Sequence, residues 1–103
     1  MKPVVLDSEA AKELRDAIAF YNRRREGLGD RFSDEVEATL DVIERRPRAQ
    51  SIHTEDFRKR RVPKPFPYTV YFVEYDDHVW IAAVYHDKRK PDAWMSRRPD
   101  DVS

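Results

Sequence analysis

The apolar residues near the amino terminus change their spacing within the first twenty positions. Val4–Leu6 are consecutive and apolar, which is typical of a short buried strand. Apolar residues then recur at steps of three and four, as on one face of an amphipathic helix: Ala10, Leu14, Ala17, Ile18 and Tyr21. Asp7 or Ser8 can cap this helix, because a side-chain oxygen there accepts hydrogen bonds from unpaired N–H groups of the first turn.

A second helical pattern follows the only two glycines of the chain, Gly27 and Gly29. We interpret the two glycines as a sharp turn between helices. Apolar residues at helical spacing then continue at Phe32, Val36, Leu40 and Ile43. Pro47 ends the helix, because proline lacks the N–H group that the helix requires. Two amphipathic helices with a short connection are expected to pack as an antiparallel hairpin.

Strand-like patterns occupy the second half of the chain. Residues 48–55 are polar without a clear period, which predicts a loop, and residues 57–62 are a candidate strand. Prolines 63, 65 and 67 remove backbone donors, so the chain here should be an edge or a bulged connection. Apolar residues alternate over 69–75 and predict a strand, with Val70 and Phe72 on one face.

The last strand-like run, residues 79–85, is apolar on both faces and therefore predicts a central strand. Asp76 and Asp77 predict the tight turn before it, and residues 91–94 a final turn or short helix. The predicted order is β-α-α-β-β-β, an α+β fold with the helical hairpin on a small, mostly antiparallel sheet. A length of 103 residues suits a single domain over 1–103, with a flexible tail from about residue 99.

Composition excludes several kinds of site. Without cysteine, the chain has no disulfide scaffold, cysteine zinc site or thiol nucleophile. The three histidines lack metal-ligand spacing, so we expect neither a metal nor a cofactor. No apolar run is long enough to span a membrane, and we expect a cytoplasmic protein without a membrane partner. Twenty basic and twenty acidic residues give zero net charge, which argues against a protein that coats nucleic acid through bulk charge.

The charges are nevertheless uneven along the chain. Residues 1–56 carry a net charge of −3, whereas residues 57–103 carry +3. Two basic groups lie in the second half: Arg58, Lys59, Arg60, Arg61 and Lys64, then Lys88, Arg89, Lys90, Arg97 and Arg98. If they meet on one surface, they can bind a phosphate backbone or an acidic protein. The first group can equally be a charged edge strand, protected against unwanted pairing. Both interpretations stay open.

His86 and Tyr68 are the candidates for proton transfer or stacking. His86 directly follows the last strand and precedes Lys88 and Arg89, so it can exchange a proton while the cations hold a phosphate. The alternative is a histidine that pins the strand end by a hydrogen bond. Tyr68 and Tyr85 flank the basic segments and can stack on bases.

Three segments in order carry a family resemblance. Residues 27–32 (GLGDRF), 66–68 (FPY) and 83–94 (AVYHDKRKPDAW) resemble the RelE/ParE superfamily of type II toxins, in particular its ParE-like, plasmid stabilization branch. The resemblance spans roughly residues 4–98. It implies a small growth-inhibiting toxin that a cognate antitoxin neutralises. One branch of the superfamily cleaves mRNA on the ribosome, whereas the other poisons DNA gyrase.

The resemblance leaves three functions open. The first is a gyrase-binding toxin, which the neutral net charge favours because the ribosome-dependent enzymes tend to be strongly basic. The second is an endoribonuclease, with His86 or Tyr68 as general acid or base and Arg60, Arg61 and Arg89 stabilising the phosphorane charge. The third is an inactive homologue that serves as a binding module.

The resemblance also implies contact surfaces. Candidate target- or phosphate-binding residues are Arg58, Lys59, Arg60, Lys64, Lys88 and Arg89. The expected partners are the antitoxin and either gyrase or the ribosome with its mRNA. An antitoxin is expected to add a strand to an exposed sheet edge and to lay a helix near Leu14, Ile18 and Leu28. A homodimer and a toxin–antitoxin hetero-oligomer are both open.

Overall fold

A helical hairpin packs on one face of a five-stranded sheet in a computed structural model that describes residues 1–99. The predicted α+β class is confirmed. The elements are β1 (Val4–Leu6), α1 (Ser8–Arg24), α2 (Leu28–Arg45), β2 (Ser51–Thr54), β3 (Phe57–Arg61), β4 (Tyr68–Glu74) and β5 (Val79–His86). Short 3-10 turns lie at Pro47–Ala49 and Ala93–Ser96. Pro99 lies outside these elements, and the rest of the predicted tail lies outside the described residues.

The strands are ordered β1-β5-β4-β3-β2 across the sheet. β1 runs parallel to β5, and the other neighbours are antiparallel. The predicted central strand is β5, which pairs on both sides and is buried from Val79 to Tyr85. Its register with β4 skips Ala82, so a bulge bends the strand there.

The helices begin where the sequence predicts. Asp7 caps α1 by accepting a 3.0 Å hydrogen bond from the Glu9 backbone N–H. Gly27 precedes α2 with φ = 83°, a left-handed conformation that glycine adopts without strain. Gly29, in contrast, is inside the first turn of α2, where its N–H donates to the Asn22 side-chain oxygen at 2.7 Å. Only Gly27 therefore serves the turn, whereas Gly29 lets α2 approach α1 closely.

The sheet is covered on both faces. The helix-side core contains Phe32, Val36 and Ile43 of α2 together with Val70 and Phe72 of β4. A second cluster lies on the opposite face, with these main members: Phe57, Val73, Trp80, Tyr85 and Trp94. The segment that follows β5 thus supplies Trp94 as the cover of the second face.

The predicted loop over residues 48–55 is wrong, because part of it is β2. β2 pairs antiparallel with β3 and leaves Ile52 66% exposed, so it buries little and shows no apolar alternation. Backbone hydrogen bonds to β3 hold it in place instead. β3 is therefore an interior strand, and the interpretation of residues 58–61 as a charged edge strand is also wrong.

We expect Gly29→Ala to destabilise the hairpin. A Cβ at this position would overlap the backbone carbonyl oxygen of Ile18 and the side-chain amide of Asn22. Overpacking of this kind costs about 1–3 kcal/mol in free energy of unfolding, measurable by urea denaturation. Glu37→Ala, an exposed change on the same helix, is the control and should differ little from the native chain. Equal stability of the two variants would contradict this account of Gly29.

Candidate functional site

The outer edge of β5 is only partly covered by a neighbouring strand. β1 has three residues and pairs with Val79–Trp80–Ile81 of β5. Within residues 1–99, no strand pairs with the following residues of β5 on that side, and an open edge of this kind invites pairing with another chain. Side chains from α1 and from the C-terminal segment cover this edge instead.

Glu13 of α1 is the centre of that cover. Its carboxylate accepts hydrogen bonds from the Val84 backbone N–H at 3.1 Å, from Arg89 at 2.7 Å and from both terminal nitrogens of Arg97 at 2.7 and 2.9 Å. Arg97 also donates to the Ala82 carbonyl oxygen at 2.9 Å. The Glu13 side chain is 11% exposed, and its hydrogen bonds raise the pKa of the Arg97 guanidinium. This ion pair joins α1, the edge of β5 and the C-terminal segment.

The two candidates for proton transfer, Tyr68 and His86, are cross-strand partners where β4 begins and β5 ends. Their ring centroids are 5.0 Å apart, edge to face. His86 Nδ1 accepts a 3.0 Å hydrogen bond from the Lys88 backbone N–H, so the histidine does hold the strand end. Burial, with Tyr21 adding to it, raises the pKa of Tyr68 to about 12. A tyrosine with this pKa is a poor proton acceptor at neutral pH.

Arg61 lies on the other face of the sheet from Tyr68 and His86. It pairs with Thr69 in the register of β3 and β4, and successive residues of a strand point to opposite faces. Arg61 is 2.7 Å from a carboxylate oxygen of Asp87, whose second oxygen accepts from the Thr69 hydroxyl at 2.8 Å. The three residues predicted for catalysis are therefore not assembled on one face.

The same alternation divides the rest of the basic run on β3. Arg58 donates to the Gln50 backbone carbonyl at 2.8 Å, and Arg60 to the Gln50 side-chain oxygen at 2.9 Å. Lys59 lies opposite Tyr71, on the face of Arg61. The predicted single phosphate-binding surface over residues 58–61 is thus split between two faces.

The other predicted contact residues have different surroundings. Lys64 and Lys88 are exposed on loops, whereas Arg89 binds Glu13 and lies 4.4 Å above the Tyr85 ring. The residues predicted for antitoxin contact, Leu14, Ile18 and Leu28, are half-buried and pack against the helix-side core.

The sequence does not predict one cluster of side chains, which lies on the second face of the sheet. His53 Nε2 lies 2.7 Å from Asp92 Oδ1, and the rings of Tyr71 and Trp94 stack at 4.2 Å beside them. Burial, followed by nearby Asp87, raises the pKa of Tyr71. These contacts hold the C-terminal segment on the second face of the sheet. No local motif reveals them, since His53 belongs to the segment predicted as a loop and lies 39 positions from Asp92.

Metal and membrane sites do not appear in the described part of the chain. Within residues 1–99, no group of three or more acidic or histidine side chains is placed to hold a metal ion. The helices in that range are too short or too polar to cross a bilayer.

Comparison with known proteins places this geometry in a family. Residues 4–91 match the family described as ParE toxin of the type II toxin–antitoxin system, parDE. A solved structure titled as a chromosomal ParDE TA system from P. aeruginosa has a TM-score of 0.61 and 11% identity, covering 84% of this chain and 96% of that one. The YoeB dimer from Staphylococcus aureus has a TM-score of 0.58 and 15% identity, covering 82% and 97%. No curated protein sequence matches the chain. The two solved structures support the fold.

We expect Glu13→Gln to lower the free energy of unfolding by about 3 kcal/mol, because it leaves the poorly exposed Arg97 without its counter-charge. Urea denaturation measures the loss, and the exposed Glu37→Gln on α2 is the matched control. Arg97→Gln in the Glu13→Gln background should cost much less than Arg97→Gln alone, since the two residues are coupled. Additive losses would show that the pair does not act as a unit.

Proposed function

This chain belongs to the ParE toxin family of type II toxin–antitoxin systems, and we propose that it inhibits growth by binding DNA gyrase without cleaving RNA. The observation that carries the proposal is the separation of the candidate catalytic groups. Arg61 lies across the sheet from Tyr68 and His86, so it cannot stabilise charge on a phosphate held between those two rings.

The pairing of the arginines also supports a binding role. A nuclease needs cations that are free to hold a phosphate in its transition state. Arg61 is occupied by Asp87, Arg60 by Gln50 and Arg89 by Glu13. Each of these three hydrogen bonds has a donor–acceptor distance of 2.9 Å or less. An arginine that turned toward a phosphate would lose the hydrogen bond that fixes its side chain.

The pKa and the packing of Tyr68 also disfavour a role in proton transfer. General acid–base catalysis works best when the pKa of the group is near the working pH. Tyr68 has a pKa of about 12 and packs on Phe32 with ring centroids 4.8 Å apart. Its environment therefore favours a fixed, neutral side chain, which suits an aromatic contact surface better than a proton-transfer group.

The first test is to induce the protein alone and to follow DNA and protein synthesis separately. We expect DNA synthesis to stop first, and purified protein to block supercoiling by gyrase with accumulation of cleavage complexes. Early cleavage of reporter mRNA in a translation extract would favour the endoribonuclease instead. Normal growth without any antitoxin would point to an inactive homologue.

Two variants separate binding from acid–base chemistry. Tyr68→Phe and His86→Gln remove the titrating groups and keep the size of the side chains. We expect each to change growth inhibition by less than about threefold, whereas loss of a general acid or base reduces rate by about 10²–10⁴-fold. Thr39→Ser, a change in the buried part of α2, controls for small packing effects. A collapse of toxicity in both ring variants with native stability would contradict the proposal.

We also propose that a cognate antitoxin binds the chain by adding a strand to one of the two outer edges of the sheet that residues 1–99 form. The edge of β5 is closed by Glu13 and Arg97, which leaves β1 and β2. Each of these outer strands carries an exposed apolar side chain, Val5 at 42% and Ile52 at 66%. A helix of the antitoxin would lie beside the half-buried Leu14, Ile18 and Leu28.

A lysine on the docking edge should prevent strand addition, because charged side chains discourage edge pairing. We therefore expect either Val5→Lys or Ile52→Lys to abolish capture of the product of the neighbouring gene in a pull-down. The other variant serves as the matched control and should bind normally. Full binding by both variants would rule out strand addition at β1 and β2.

A further inference from the structure

The fold brings three connections together at one end of the sheet, where β3 ends, β4 begins and β5 ends. The β3–β4 loop reaches the helical hairpin, because the ring of Phe66 lies 5.2 Å from the ring of Tyr21. Arg31 of α2 lies 6.0 Å from the centroid of the same Phe66 ring. The end of α1 and the loop after β5 line one groove through Arg23 and Arg89.

These connections and the helix turns next to them carry an excess of positive charge. The segments 23–31, 62–67 and 87–92 contain eight lysines or arginines against four acids. We call the eight residues the cationic end, and all of them are exposed: Arg23, Arg24, Arg25, Arg31, Lys64, Lys88, Arg89 and Lys90. Two of the four acids are occupied elsewhere, Asp87 by Arg61 and Asp92 by His53.

The opposite end of the sheet carries charges of both signs. The β2–β3 turn contributes Glu55 and Asp56, and the β4–β5 turn contributes Asp76 and Asp77. Cations lie beside these turns, because Lys2 donates to the Tyr75 carbonyl oxygen at 2.9 Å and Arg48 binds Glu74 at 3.0 Å. The excess of positive charge at the cationic end is therefore a local feature of a chain with zero net charge.

The cationic end is largely free of internal partners. In the part of the chain that the structure describes, Arg89 is the one member in an ion pair, with Glu13 at 2.7 Å. The arginines of β3 differ, since Arg58, Arg60 and Arg61 each have an acceptor within the protein. The cations that can bind an outside anion are thus those of the cationic end.

The surroundings favour a phosphate backbone over a protein surface. A protein interface has an apolar, water-excluding centre. Near the cationic end the exposed large apolar side chain is Phe20, and Arg24 already lies 5.5 Å from its ring centroid. Exposed lysines and arginines on several loops suffice for phosphates, whose binding is largely electrostatic and independent of sequence.

We propose that the cationic end binds the phosphate backbone of duplex DNA. The choice of DNA over RNA rests on the proposed function, because gyrase holds a DNA duplex. In this arrangement the toxin contacts the DNA next to gyrase through the residues of its cationic end.

The test compares two triple variants of equal charge change. Arg25→Gln/Lys64→Gln/Lys88→Gln takes one cation from each connection, and Arg15→Gln/Arg45→Gln/Arg46→Gln takes three exposed cations from elsewhere. Binding of a short labelled DNA duplex is measured by fluorescence anisotropy over a series of salt concentrations. Circular dichroism and urea denaturation confirm that both variants are folded.

We expect the native chain to bind duplex DNA more weakly as salt rises, with a linear dependence of log affinity on log salt. The first variant should lose about 2.7 from the magnitude of that slope and at least about tenfold in affinity at low salt, because each phosphate contact contributes about 0.9 to the slope. The control variant should retain the native slope. Equal losses in both variants, or no binding by the native chain at about 50 mM salt, would overturn the proposal.

Competition identifies the class of anion. Unlabelled duplex DNA should displace the label better than single-stranded RNA or polyglutamate at equal charge concentration. Preference for RNA would overturn the choice of DNA, and preference for polyglutamate would indicate an acidic protein partner instead.

Gyrase assays separate this proposal from the proposed function. If the native chain poisons gyrase and the triple loop variant does so equally well, gyrase binding stands and the DNA contact fails. If the chain binds DNA with the expected slope but leaves gyrase unaffected, the DNA contact stands and the gyrase target fails.

Discussion

The ion pair between Glu13 and Arg97 is the interaction on which the rest of the structure depends. The β1 strand is too short to pair with all of β5, and Glu13 and Arg97 bind two of the backbone groups that it leaves uncovered, the Val84 N–H and the Ala82 carbonyl oxygen. The same ion pair fixes the C-terminal segment, which carries Trp94 over the second face of the sheet. Glu13 thus covers the free edge of β5 and binds α1 to it. Through Arg97, Glu13 also holds the segment that packs on the second face of the sheet.

Much of the fold follows from the spacing of apolar residues. The helix caps, the hairpin and the buried β5 strand all depend on local patterns, which the sequence displays directly. β2 does not, because backbone pairing with β3 rather than burial of its side chains stabilises it. The role of Gly29 was equally hidden, since the close approach of two helices is set by their crossing and not by a turn signal.

The candidate site was harder to predict for a related reason. His86 and Tyr68 meet because strand register brings them together, and each was recognisable as a flanking polar residue. Sequence proximity also suggested that residues 58–61 form one charged surface, yet strand alternation sends them to two faces. The acceptors of their hydrogen bonds, such as Gln50 and Asp87, lie 8 to 26 positions away and become neighbours only in the folded sheet.

The local excess of positive charge at the cationic end has a consequence for how the protein meets other molecules. At physiological ionic strength the Debye length is about 8 Å, shorter than every dimension of a molecule measuring 40 × 27 × 26 Å. A surface that approaches the cationic end therefore senses the potential of that end and little of the compensating charge elsewhere. A protein that is neutral as a whole then attracts anions in one orientation. Its rotational alignment during diffusion, as well as its isoelectric point, affects the rate of productive encounters.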